Sequence, residues 1–143
     1  MSSAKFIKAI PKTAFINTKL RTGWKLQCNV FDRANSNRPI KGLVVMAKAH
    51  QAPAPFPSPP PSAALEWFGT RIRGLNFEVR HDNPDGSIVR GWHEHIWSPI
   101  YRDALVVPAK PEVVRRTLRD VFRWGLKKWR IEVIMDQVDC DDA

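Results

Sequence analysis

The chain has 143 residues, enough for one domain and too few for two independent cores, which excludes a multidomain enzyme. It carries 23 Lys and Arg against 14 Asp and Glu, a net charge of +9, and four of the acids (Asp136, Asp139, Asp141, Asp142) lie in the last eight residues. Residues 1–135 therefore hold 23 cations against 10 acids, a balance that attracts polyanions, nucleic acid first and an anionic membrane surface second. Hydrophobic residues at 43% and charged residues at 26% exclude a disordered polycation and predict a folded core.

No apolar run approaches the ~18 residues of a membrane helix, and the opening Met1-Ser2-Ser3-Ala4-Lys5-Phe6-Ile7 meets Pro11 before a signal-peptide apolar region forms. The expectation is a cytoplasmic protein with no membrane association. No acid precedes Asp32 while six Lys or Arg do, which imitates an organellar transit peptide, but Lys outnumbers Arg there. The two cysteines, Cys28 in a strand-like run and Cys140 in the acidic tail, fit neither a disulfide framework nor a zinc cluster. Cys28 reads as a small core residue.

From Gly23 to Asp32 the pattern alternates as a strand, with Trp24, Leu26, Cys28 and Val30 on one face and Lys25, Gln27 and Asn29 on the other. Asn35-Ser36-Asn37 reads as a turn, and Leu43 to Met46 as a strand returning antiparallel. Residues 51–62 contain six prolines and no charge. Proline removes donors and fixes φ, so this segment is a polyproline-type spacer or surface loop, or a recognition segment for a proline-binding partner.

Leu75 to His81 alternates apolar and polar, Asn83-Pro84-Asp85-Gly86 is a strong turn signal, and Ile88 to His95 resumes an extended pattern. This predicts a hairpin with a left-handed Gly86, pairing His81 with Val89, Val79 with Gly91 and Phe77 with His93. Strand parity then places Leu75, Phe77, Val79, His81, Val89, His93, His95 and Trp97 on one face, and Glu78, Arg80, Asp82, Arg90, Trp92 and Glu94 on the other. Ser98-Pro99 ends the strand, and a short strand is expected within Tyr101 to Pro108. A helix is predicted over 112–129, with Pro111 at its start and Glu112 in its first turn. Val114, Leu118, Val121, Phe122, Gly125 and Trp129 form its apolar stripe, and Arg115, Arg119, Arg123 and Lys127, joined by Arg116, a basic flank. Ile131 to Met135 reads as a last strand and residues 136–143 as an acidic tail.

His81, His93 and His95 fall within fifteen residues and on one predicted sheet face. Imidazole titrates near neutrality, so such a cluster beside a basic groove suits proton transfer at a phosphodiester. Metal-independent RNA cleavage needs a base for the 2′-hydroxyl, an acid for the leaving 5′-oxygen and cations for the developing charge. His81, His93 and His95 fit the first two roles, and Arg90, Arg102 or Arg80 the third, with Tyr101 and Glu94 as further proton carriers. The competing reading has these histidines capping a sheet edge with local hydrogen bonds. A third has His93 and His95, two apart on a strand, binding one ion with His81 or Asp103 completing the set, although no structural zinc pattern is matched. No metal or other cofactor is expected. The cations Arg115, Arg116, Arg119, Arg123 and Lys127 form a polyanion-binding footprint or a solvated face. Trp92 and Trp124, off the apolar positions, read as residues that stack on unpaired bases or, for Trp92, pack against the Pro-rich segment.

Asp85-Gly86-Ser87-Ile88-Val89-Arg90-Gly91-Trp92-His93-Glu94-His95, followed by a helix, resembles the TumE-type RNase toxins of toxin–antitoxin pairs, over residues 75–107. Those proteins tend to show more histidines, and this chain adds a Pro-rich segment and an N-terminal hairpin. The resemblance implies RNA cleavage held in check by an antitoxin protein, with Arg90, His93 and His95 as the positions that carry over. The resulting expectation is a single α+β domain over residues 1–135, an antiparallel sheet of about five strands with one C-terminal helix on one face. Its function is read as a basic endoribonuclease with His93 and His95 as acid and base, His81 assisting, and Arg90 and Arg102 on the phosphate. The alternative is a nucleic-acid-binding module, or an adaptor or inhibitor, without catalysis.

Overall fold

The computed structural model describes residues 4–17, 22–53, 55–110 and 117–134. Among the described residues nine strands form one sheet: β1 (Lys5–Ile7), β2 (Ala14–Asn17), β3 (Thr22–Asp32), β4 (Asn35–Gln51), β5 (Ser62–Trp67), β6 (Thr70–Asp82), β7 (Ile88–Ile96), β8 (Val106–Pro108) and β9 (Ile131–Val133), with one helix, α1 (Leu118–Lys128), between β8 and β9. This corrects the expected α+β fold of about five strands: the described residues are 59% strand and 9% helix. β1, β2, β8 and β9 are three or four residues long, too short for a period to register, and β5 begins Ser62-Ala63-Ala64 directly after the Pro-rich segment, with little of the β-branched content that marks a strand.

The strand order is β8-β7-β6-β5-β4-β3-β1-β9, with β2 also on β3. From β3 to β8 each strand pairs antiparallel with the next, while β9 lies parallel to β1. The first hairpin turns at Arg33-Ala34 rather than at residues 35–37: Asp32 pairs with Asn35, and its Oδ1 accepts from Ala34 N at 2.9 Å. An Asp before a two-residue turn supplies the hydrogen bond that the expected Asn-Ser-Asn turn would have drawn from its own side chains. β4 consequently runs from Asn35 instead of Leu43.

α1 packs across β3, β4, β5, β6 and β9 on one face of the sheet. Val121, Phe122, Trp124, Gly125 and Leu126 turn inward onto Leu26, Val45, Ala47, Ala63, Leu75 and Trp92, the centre of the core. Of the helix predicted over 112–129, α1 covers Leu118–Lys128: Thr117 is extended and its side chain accepts from Asp120 N, a cap that fixes the first turn, and residues 112–116 lie outside the described residues. Pro111, Glu112, Val114 and the acidic tail lie outside the described residues. Cys28 packs against this core, and burial pushes its thiol up to about 12. Among the described residues no helix is long and apolar enough to cross a membrane.

Candidate functional site

The β6–β7 hairpin builds the site. Its turn closes with Asn83 N donating to Ser87 O at 2.8 Å and Gly86 at φ +91°, and His81 pairs with Val89 as expected. Beyond that pair the register slips. Glu78, not Val79, opposes Gly91, and Phe77 opposes Trp92 instead of His93. Val79 and Arg80 together face Arg90, a β-bulge that inserts one extra residue into β6. Gly91, next to Arg90 on β7, takes φ +86°, a left-handed conformation open to glycine at little cost.

The bulge exchanges the two faces of β6 from residue 78 toward its start. Leu75 and Phe77 join Trp92 and Glu94 on the helix-covered face, while Asn76 and Glu78 join the histidines on the other. His81, His93 and His95 do converge, with ring centroids 5.3 Å (His81 to His93), 5.6 Å (His81 to His95) and 5.0 Å (His93 to His95) apart. His93 is fully buried and His95 is 4% exposed, beneath the chain leading into β8. His81 is the imidazole nearest solvent.

Each ring is tethered to a backbone carbonyl. His93 Nδ1 reaches Gly91 O at 3.0 Å, His95 Nδ1 reaches Asp103 O at 2.7 Å, and His81 Nε2 reaches Ala104 O at 2.8 Å. A carbonyl only accepts, so in each contact the ring nitrogen carries the hydrogen. Glu78 faces two of the rings, with Oε1 3.5 Å from His93 Nε2 and Oε2 3.4 Å from His81 Nδ1. The Asn76 amide lies 3.0 Å from His95 Nε2. Arg71 crosses from β6 to pair with Asp103 at 2.8 Å and lies 3.3 Å from His95 Nδ1. Burial lowers the proton affinity of His93 and holds His95 down at about 4, and the Arg71 charge acts in the same direction on both. Both imidazoles are neutral at pH 7. Arg71 also lines a shallow groove of about 110 Å³ with Met46, Lys48, Ser62, Ala64 and Glu66.

The remaining expected site residues stand apart from this cluster. Arg90 lies on the opposite face by strand alternation, and Tyr101 and Arg102 sit in the turn closed by the Ser98–Arg102 bridge, where Arg102 stacks over Trp97 at 5.9 Å. Trp92 and Trp124 are buried and packed edge to face at 5.2 Å, so neither is available to a base. Glu94 is buried on the helix side, accepting from Trp129 Nε1 at 3.0 Å and pairing with Arg73 at 3.3 Å. Arg119, Arg123 and Lys127 lie on α1, across the sheet from the histidines, with Arg123 and Lys127 on its exposed side, and Arg115 and Arg116 fall outside the described residues. Glu78, Asn76, Arg71 and, as a phosphate-side group, Lys48 were not singled out in the sequence. Only the bulge, which has no sequence period of its own, brings Asn76 and Glu78 to the histidine face. No family model, no curated protein and no solved structure matches the chain.

Proposed function

We propose that the protein cleaves RNA at the histidine face of its sheet. The observation that carries this reading is the gathering of three imidazoles beside Glu78, with Arg71, which lines a groove together with Lys48, reaching the cluster at His95. Burial reassigns the roles expected from the sequence: His93 and His95 form the floor, and His81 is the proton carrier that a phosphodiester reaches. His81 takes the proton of the 2′-hydroxyl as that oxygen attacks phosphorus, the P–O5′ bond breaks to leave a 2′,3′-cyclic phosphate, the leaving 5′-oxygen takes its proton from water, and His81 returns its own to solvent. Glu78 orients the ring and balances its charge, and Lys48 and Arg71 neutralise the phosphate as charge develops on it. The net charge of +9 draws a polyanion to this surface. By its resemblance to TumE-type toxins, the same proposal includes a small antitoxin protein as the natural restraint.

A second reading, binding without cleavage, is favoured by one feature of the other face. Arg73, Lys128 and Arg130 line an open groove of about 300 Å³ with Trp129 and Leu65, a combination of cations and an aromatic ring that suits a nucleic-acid strand. The test is incubation of the full chain with a mixed RNA pool, with and without EDTA, beside a His81→Ala variant. Cleavage that falls at least about a hundredfold in the variant supports the enzyme. A protein that retards RNA across salts and pH without cutting it refutes cleavage and leaves the binding module.

A further inference from the structure

Two of the ring nitrogens that the histidine cluster turns toward its centre, His93 Nε2 and His81 Nδ1, are acceptors facing the Glu78 carboxylate. His93 spends Nδ1–H on Gly91 O, leaving the lone pair on Nε2, and His81 spends Nε2–H on Ala104 O, leaving it on Nδ1; His95 gives Nδ1–H to Asp103 O, and its Nε2 is open to a metal once the Asn76 amide turns its Oδ1 away. Two of these nitrogens approach the Glu78 carboxylate at 3.5 and 3.4 Å. His93 Nε2 is fully buried and has no hydrogen-bond partner, a state that is costly unless something compensates it. Asn76 Oδ1 faces His95 Nε2 at 3.0 Å and its Nδ2 donates to Glu78 Oε1 at 3.5 Å, so neither amide atom serves His93. Convergent lone pairs beside a carboxylate are the ligand field of a cation.

We propose that Glu78, His93 and His95 bind one divalent transition metal ion, with Zn²⁺ the best match to the donors. The ligand atoms of these three residues all lie within 4.8 Å of one another. The 3.5 Å between His93 Nε2 and Glu78 Oε1 is close to the ~3.3 Å edge made by two ligands ~2.0–2.1 Å from a tetrahedral zinc. Imidazole nitrogen selects zinc and its neighbours over Mg²⁺ and Ca²⁺, which favour oxygen. The carbonyls of Gly91 and Asp103 do what outer-shell partners of metal-bound histidines do: they fix the tautomer and hold each ring in place. Three protein ligands leave a fourth position for water or a substrate oxygen, with His81 at the rim on the Glu78 Oε2 side. The inference stands on these donors and not on RNA as substrate.

The test uses the full chain, stripped with a chelator and titrated with Zn²⁺ alone and with Co²⁺ alone. The expected result is one Zn²⁺ per chain, a Co²⁺ visible spectrum of low coordination number, and a rise in melting temperature on adding Zn²⁺. His95→Ala and Glu78→Gln should each weaken Zn²⁺ binding at least about a hundredfold, while His50→Ala, on β4 outside the cluster, leaves it unchanged. His95→Ala removes a ring from a buried position, so Glu78→Gln guards against simple unfolding: its metal-free melting temperature should match wild type, with the zinc-induced rise lost. Failure of wild type to take up one Zn²⁺, uptake that survives both ligand substitutions, or uptake abolished by His50→Ala would each overturn the site. A chain that binds zinc stoichiometrically yet leaves RNA intact would refute the cleavage reading and leave the metal site standing.

Discussion

Gly91 is the residue on which the site turns. Its φ of +86° lets β7 follow the bulge, and its carbonyl receives the His93 Nδ1 hydrogen bond. An added Cβ would meet only Phe77 Cε2, at 3.8 Å, so the obstacle to substitution is backbone conformation and not space. Gly91→Ala is expected to destabilise the fold by about 1–2 kcal/mol, the cost of a left-handed conformation for an L-residue, read as a lower urea midpoint with an unchanged slope. An unaltered midpoint would show that the bulge relaxes at no cost. The same bulge decides which carboxylate belongs to the site. Glu94, between His93 and His95 in sequence, is the natural candidate by proximity, yet alternation sends it into the core under Trp129, and Glu78 takes the place beside the rings.

At the scale of elements, the short strand β8 and the chain before it cover the histidines, and Asn83 holds them down. Its side chain pairs with Val106 as another strand's backbone would: Nδ2 donates to Val106 O at 2.9 Å and Oδ1 accepts from Val106 N at 2.8 Å. Asn83 was legible in the sequence as a turn former, because local turn chemistry is written in adjacent residues. Its grip on residue 106 was not, since the partner lies 23 positions away. Asn83→Ala leaves two buried backbone groups unpaired and should cost roughly 2–3 kcal/mol. It should also speed hydrogen exchange of the Val106 amide more than that of the central strand β4. Exchange that rises equally everywhere would mean that β8 opens only with the whole fold. The first hairpin and the helix were readable for a related reason: Leu26, Val30, Val121 and Phe122 recur at the period of their own element and are fully buried. β1, β2 and β9 are three or four residues long and gain their place from β3 and from each other.

Across the whole molecule, the sheet separates the two surfaces that the sequence joined into one function. The histidines, Glu78, Arg71 and Lys48 lie on the face away from the helix, and α1 with Arg123 and Lys127 covers the other. A strand held on the outer side of α1 does not pass the His81 edge without wrapping around the sheet. Substitutions on the two faces should therefore act separately. Arg123→Glu with Lys127→Glu is expected to weaken RNA retention and flatten its salt dependence by about two phosphate contacts. Lys48→Glu is expected to lower the cleavage rate at least about tenfold with protein in excess. Strong loss of single-turnover cleavage in the helix variant would place both surfaces on one RNA path.

What the sequence by itself determined is the chemistry available and the local frames that carry it: a strongly cationic chain, a hairpin closed at residues 83–87, a helix with an apolar side, and three histidines on one face of one strand pair. Those follow from charge, from periods of two and 3.6, and from turn residues, all set by near neighbours. Only the tertiary structure decided which face is covered, which carboxylate meets the histidines, and that Trp92 and Trp124 are core and not binding residues. A single bulge inverts the parity of β6, and the sheet face that becomes core is chosen by where α1 lands, a contact between segments that no local pattern encodes.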